Sequence, residues 1–508
     1  MLALLLACAP VSTRPISLTP PLVSVAAATP PLHAAPSTPQ APSGLTYEVY
    51  VRSFQDSDGD GIGDLPGLQS RLPYLQDLGV QTLWLMPLFP AFGPAGYDVT
   101  DFSTLHAAYG SPTDLGLLVA DAHARGMKVL IDLPLNHVHR SHPWFQAAES
   151  GDSVWAVHRT DAADGVTWFT SARGGSYYAK FGAEMPDLDW ERTEVVDAMV
   201  EVMGEWLEAG ADGYRLDAVL MLVEEGEVTE GTASSHVLLA GLRARLQAAH
   251  PGVRFLAEAS EHDVARSISW LGTSDIPEAD DVLDFPRNDL WEDIYADPDR
   301  AVPELRAVIQ AQVDVGVDLQ MASFLGSHDQ DRLATRIPDP AARRALMVAH
   351  LLLPGSPVLY YGEELDLADA TSGTGQDLAN RAPMPWDTSN EAGFSNGPAW
   401  FTADPGYLQG LNVQAELAMA GSMLQLVRDL GCVRSRLDLA TTEGWEPRRS
   451  APAVLDFVRE TPAGALRVTI NLSGEPQRVG RETLGPWAYT LDVPREASAC
   501  GGGLVSLP

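Results

Sequence analysis

A (β/α)₈ TIM barrel of the α/β class is what this sequence predicts, with an inserted subdomain after strand 3 and a C-terminal antiparallel β domain. Three observations predict it. From Leu45 onward, apolar strand-like runs alternate with helix-like stretches. One interval, between the third and fourth runs, spans about 80 residues against roughly 30 to 45 elsewhere, an excess over an ordinary βα unit. After about residue 431 the pattern changes to short strands of alternating polarity.

The elements follow in order. Strand-like runs fall at Thr46–Val51, Thr82–Met86, Lys128–Leu133, Gly213–Ala218, Arg254–Ala257, Val282–Phe285, Met321–Leu325 and Val358–Tyr361. Helix-like stretches lie between them, among them Pro112–Arg125 with proline in its first turn, Glu194–Ala209, Ser235–His250 and Pro340–Leu352. The long interval places the inserted subdomain at 138–185, between barrel segments 45–137 and 186–431. Trp144, Trp155, Trp168, Tyr177, Tyr178 and Phe181 enrich that insertion; they form its own core or stack on a ligand, and the core reading is the simpler. Short strands at Ala453–Arg459, Ala465–Leu472 and Ala488–Val493 build the β domain of residues 432–508.

Residues 1–44 read differently. An apolar start runs into Leu5-Leu6-Ala7-Cys8, which resembles a bacterial lipoprotein processing box without the usual basic residue ahead of it. Residues 9–44, rich in Pro, Ala, Ser and Thr, cannot bury a core and read as a tether. Export is therefore expected, to the cell envelope or beyond, with membrane attachment only through lipid on Cys8. Cys432 and Cys500 then either pair or stay as buried thiols.

The 508 residues are 45% hydrophobic and 20% charged, a globular balance. A formal net charge of −35 repels nucleic acid and anionic lipid and does not penalise an uncharged substrate. Lys128 and Lys180 are the only lysines, a bias that salt adaptation and genome composition both explain. The sequence leaves the oligomeric state open and favours a monomer.

Four segments carry chemistry: Asp132-Leu-Pro-Leu-Asn136-His137, Gly213-Tyr-Arg215-Leu-Asp217-Ala218, Ala257-Glu258-Ala259 and Ser327-His328-Asp329. Each puts an acid or its polar partner at the end of a strand-like run, where a barrel assembles its site. Two carboxylates facing one bond are what glycoside hydrolysis needs. Arg215, two residues before Asp217, shares its side of the strand and favours its ionised form. Glu258, among Leu256, Ala257 and Ala259, is placed for the desolvation that makes an acid catalyst.

In this order the segments resemble those of the α-amylase family, glycoside hydrolase family 13. Tyr50-Val-Arg52-Ser-Phe54, Gly96-Tyr97-Asp98, Met185-Pro-Asp-Leu-Asp189, Gly355-Ser-Pro-Val-Leu-Tyr-Tyr-Gly362-Glu363 and Arg381-Ala-Pro-Met-Pro-Trp386 agree with it. The similarity runs from about Leu45 onward and is strongest to secreted bacterial α-amylases near the oligo-1,6-glucosidase/neopullulanase intermediary group. It implies Asp217 as nucleophile, Glu258 as general acid/base and Asp329 as transition-state stabiliser. It further implies Tyr97, Asp98, His137, Arg215 and His328 as sugar-binding residues, with Asp132 supporting them. Ser327 stands where Asn is usual, and Ala95 where His is.

A second signal is Asp56-Ser-Asp58-Gly-Asp60-Gly-Ile62-Gly-Asp64. Oxygen donors fall at the first, third, fifth and ninth positions of an EF-hand-like loop, with the Ile62 carbonyl at the seventh and glycine at the sixth. Gly67 replaces the closing bidentate Glu, so a complete EF-hand is excluded. Ca²⁺ is the expected ion, in a structural role. A second Ca²⁺ at Asn136 stays open, because Met221 stands where related enzymes often supply a histidine carbonyl.

The implied activity is retaining hydrolysis of α-1,4-glucosidic bonds in starch, glycogen or maltooligosaccharides, an α-amylase. Ala218 after the nucleophile leans toward α-1,4 linkages. The alternatives are an exo-acting α-glucosidase or oligo-1,6-glucosidase, a transglycosylase such as trehalose synthase, and, more remotely, a non-catalytic amylase-like binding protein.

Overall fold

The computed structural model describes residues 44–500 apart from 153, 371–375 and 443; the tether and Cys8 lie outside the described residues. Eight parallel strands form the barrel: β1 (Thr46–Val49), β2 (Thr82–Leu85), β3 (Lys128–Pro134), β4 (Gly213–Asp217), β5 (Arg254–Ala257), β6 (Asp281–Leu283), β7 (Met321–Ala322) and β8 (Val358–Tyr360). From β1 to β7 each strand pairs with the next, and β1 pairs with β8. The remaining seam, β7 to β8, is held by a parallel bridge between Phe324 and Val358 and by Val358 N–H donating to the Ser323 carbonyl at 2.7 Å.

Alternation along the strands sorts the side chains into two cores. Trp84, Leu130, Leu256, Leu283, Ala322, Phe324 and Val358 fill the barrel interior. Their neighbours Leu83, Val129, Ile131, Phe255, Val282 and Leu359 face the surrounding helices in a separate, larger core. Capping fixes where those helices begin. Ser111 and Asp114 form a reciprocal capping box ahead of Pro112–Ala124. Thr232 and Asp339 cap Ala233–Ala249 and Pro340–Leu352.

Between β3 and β4 the chain leaves the barrel, forming a helix, Pro143–Glu149, and an antiparallel sheet of His158–Arg159, Ser176–Tyr178 and Trp168–Thr170. Bridges from His137 to Asp187 and from Ala156 to Leu188 tie this excursion to the end of β3. Most of its aromatic residues pack on one another: Trp144 on Trp155, Trp168 on Tyr178, Phe145 on Tyr177.

The C-terminal part is an antiparallel sheet of Glu446–Pro447, Val454–Thr461, Gly464–Asn471 and Tyr489–Asp492, beside a two-stranded ribbon. It follows a helix, Met423–Arg436, that runs beyond residue 431, where the sequence pattern alone had placed the change to strands. Cys432 on that helix is disulfide-bonded to Cys500, which settles the open pairing.

Candidate active site

β3, β4 and β5 bring three acids to one arginine. Asp132 and Arg215 are register partners on β3 and β4, and Asp217 lies two residues beyond Arg215 on the same face. Arg215 Nη1 donates to Asp132 Oδ1 at 2.8 Å and to Asp217 Oδ1 at 2.6 Å, and Nη2 lies 2.7 Å from Glu258 Oε2. Glu258 follows β5 directly and also accepts from the Ala218 N–H at 3.0 Å. Ala218 itself has a left-handed backbone, φ +50°, uncommon for a residue with a Cβ and found often at functional turns.

One cavity of about 710 Å³ opens above these groups. Of the residues expected at the site, Tyr97, His137, Asp217, Glu258, His328 and Asp329 all line it. Arg215 lies beneath, 1% exposed, lining a smaller recess of about 80 Å³. With its Nη groups engaged by carboxylates, it is placed to hold the acids. Asp98, next to Tyr97, is not among the residues lining the cavity; its Oδ2 accepts from Gly93 N–H at 2.8 Å, and its Oδ1 is buried without a hydrogen-bond partner.

Burial raises the pKa of Asp217 to about 6; Arg215 opposes the rise, and Asp132 and Asp329 add to it. Burial likewise lifts Glu258 to about 7, opposed by Arg215 and reinforced by Asp217 and Asp329. Asp329 runs the other way. Desolvation acts against its charge, yet His328, Arg215 and Arg381 hold it below the ordinary carboxylate value. His137, pushed down to about 4 by burial, is neutral at working pH, and both its ring nitrogens lack a protein hydrogen-bond partner. A neutral imidazole in a cavity wall can both donate to and accept from sugar hydroxyls.

Arg381 and Asn380 are among the cavity residues absent from the expected site, although Arg381 opens a segment the sequence displays. Arg381 places Nη2 3.3 Å from the His328 carbonyl and leaves Nε and Nη1 without protein partners. Asn380 holds the same turn through the His328 and Gln330 carbonyls. From the insertion, Phe181 packs on His137 at 4.9 Å between centroids and remains 39% exposed at the cavity rim, beside Met185 and Met221.

The acidic loop after β1 gathers Asp56, Asp58 and Asp64, whose ligand oxygens lie within 4.8 Å of one another. Asp60 is outside that group; its Oδ1 accepts from Ile62 N–H at 2.7 Å. Asp56 and Asp64 are buried, and Gly61 has φ +91° with room for no Cβ, which would sit 2.0 Å from the Pro398 carbonyl oxygen. Two buried carboxylates and a third converging on one point fit a hard, oxygen-seeking cation such as Ca²⁺.

Comparison with known proteins agrees with this geometry. The model of the alpha-amylase catalytic domain matches residues 48–443. The trehalose synthase/amylase TreS of Mycolicibacterium smegmatis is 33% identical over 518 residues, covering 88% of this chain and 86% of its own. The glucan 1,6-alpha-glucosidase of Streptococcus pneumoniae is 27% identical, covering 86% and 92%. Among solved structures, the alpha-glucosyl transfer enzyme XgtA superposes with a TM-score of 0.76 at 25% identity, over 90% of this chain and 95% of its own. With its acids at the ends of β4 and β5 and a family match across the whole barrel, the chain belongs to the α-amylase family, glycoside hydrolase family 13.

Proposed function

We propose that the protein is a retaining α-glucosyl-transfer enzyme of short α-glucosides, acting as an exo-type α-glucosidase or as a transglucosidase that isomerises maltose to trehalose. The observation that carries this reading is the 33% identity, across 88% of the chain, to an enzyme named trehalose synthase/amylase. A cavity of about 710 Å³ supports it, because that is the size of a small-molecule site. α-Amylase action on starch is the second reading, favoured by Ala218 and by the same relative's double name.

The chemistry assigns one acid to each role. Ionised Asp217 attacks the anomeric carbon while protonated Glu258 gives its proton to the departing glycosidic oxygen. Glu258, now ionised, then takes a proton from the incoming water or sugar hydroxyl, which displaces Asp217 and retains configuration. Asp329 and His137 hold sugar hydroxyls. Phe181 offers an apolar face to the departing or incoming sugar.

Maltose, maltoheptaose and soluble starch, each incubated with enzyme, separate the readings. Trehalose and glucose from maltose are expected. Mixed maltooligosaccharides from maltoheptaose with maltose untouched would reject the short-glucoside reading in favour of an amylase. The Asp217→Asn variant should lose activity about 10³-fold or more; undiminished activity would remove Asp217 as nucleophile.

We further propose Ca²⁺ in the Asp56–Asp64 loop, supported by the three converging carboxylates, and function outside the cytoplasm. The Cys432–Cys500 disulfide supports the second, since such bonds persist in oxidising compartments.

A further inference from the structure

Glu48 on β1 is fully buried in the barrel interior, and its Oε1 is hydrogen-bonded to His328 Nδ1. On the other edge of the ring, Nε2 lies 2.6 Å from the Tyr97 hydroxyl, which in turn lies 2.8 Å from Asp132 Oδ2. Hydrogen counting along this chain fixes the state of the imidazole. Burial pushes the Asp132 carboxyl up, but Arg215 Nη1 at 2.8 Å and the Trp84 indole N–H at 2.9 Å both donate to its oxygens and oppose that rise, so it stands as a carboxylate and only accepts. The single Tyr97 proton must go to it. The hydroxyl oxygen is left as acceptor, and His328 Nε2 must carry a hydrogen to meet it. At Nδ1 the partner is again a carboxylate oxygen, so that nitrogen carries one as well.

We propose that His328 is a standing imidazolium, that Glu48 is the positioning residue holding its charge, and that this charge keeps Asp329 ionised at the cavity wall. The inference rests on the reading of this cavity as the glucosyl-transfer site. Asp329 Oδ2 lies 3.2 Å from His328 Nε2. The other groups around the ring are Asp132 from β3, Arg215 from β4, Tyr97 and the edge of Trp84, with Arg381 on the His328 carbonyl. A neutral ring would leave Glu48 as a buried carboxylate facing no cation, an arrangement that costs far more than an ion pair. In agreement, although burial disfavours its charge, Asp329 and Glu48 raise the pKa of His328.

Nuclear magnetic resonance of the ¹⁵N-histidine-labelled full chain tests the state directly, with the His328 signals identified by their loss in His328→Gln. Both ring nitrogens are expected to be protonated and unchanged between about pH 6 and pH 8. An unprotonated ring nitrogen in that range overturns the proposal, and this readout needs no substrate, so it stands apart from the choice of activity. In Glu48→Gln the ring should lose a proton within the same range. Turnover of an aryl α-glucoside near neutral pH should fall about tenfold or more and return toward lower pH. A Glu48→Gln enzyme with the wild-type pH profile would equally overturn it. Should that variant fail to fold, the wild-type spectrum alone decides.

Discussion

Asp217 and Glu258 hang on the same guanidinium and are still pulled apart in acidity, about 6 against about 7. The order agrees with the proposed roles, the lower member serving as the ionised nucleophile while the higher holds its proton. Activity should rise with pH as Asp217 ionises near 6 and fall as Glu258 loses its proton near 7. A kcat/KM profile for an aryl α-glucoside should therefore be a narrow bell peaking between those values; a flat plateau through pH 8 would contradict it. At this scale the sequence was legible where an acid ends a strand. It placed Asp98 among the sugar-binding residues but could not show how its carboxylate is held, beside a neighbour, Tyr97, that lines the cavity. Two adjacent side chains in a turn part company according to which backbone N–H is near, here that of Gly93, and no residue pattern encodes that. Glu48 was hidden for a related reason: within a strand-like run, an inward polar residue looks no different from an outward one until the barrel closes.

Elements with a strong period came through the sequence almost intact. Pro340–Leu352 and Arg254–Ala257 match their expected bounds, because proline, an Asp cap and unbroken apolar runs are local signals. The first run was read two residues long, to Val51, whereas the strand ends at Val49 and a helical turn, Val51–Phe54, follows. Val and Phe suit a strand, and only the tertiary contacts of this turn, with Gly63 N–H on the Arg52 carbonyl at 2.8 Å, override that preference. Those contacts belong to the acidic loop, so the Ca²⁺ proposed there would bear on stability at this level. Removing Ca²⁺ with a chelator should lower the melting temperature and leave the loop more open to proteolysis. No change, with no metal found by elemental analysis, would reject the ion. The disulfide acts at the same scale. It closes a 68-residue span from the helix Met423–Arg436 to Cys500. Cys432→Ser with Cys500→Ser should cost about 2–4 kcal/mol in denaturant unfolding, and an unchanged midpoint would show that the span is already ordered without it.

For the molecule as a whole, buried acids and buried histidines oppose each other on the acid side and cease to above it. Burial raises Asp187 and Glu363 to about 8, and Glu224 and Glu416 to about 7. Each keeps in the folded state a proton that the unfolded chain loses near 4, so folding stability declines as pH rises through those values. His137 and His142, lowered to about 4, and His350, lowered to about 3, have the opposite sign. Their contribution grows with pH until the unfolded histidine titrates near 6.5, then stays constant. Above about pH 6.5, therefore, the carboxyl groups and the protonated His328 set the slope, and it is downward. The net charge of −35 adds self-repulsion of the same sign. Melting temperature should fall between about pH 6.5 and pH 8.5. Added salt should recover the part due to surface repulsion and leave the part due to buried carboxyls, which ions screen poorly. A melting temperature that holds steady or climbs over that interval would mean that these acids are ionised in the folded protein and paired with cations their burial does not show.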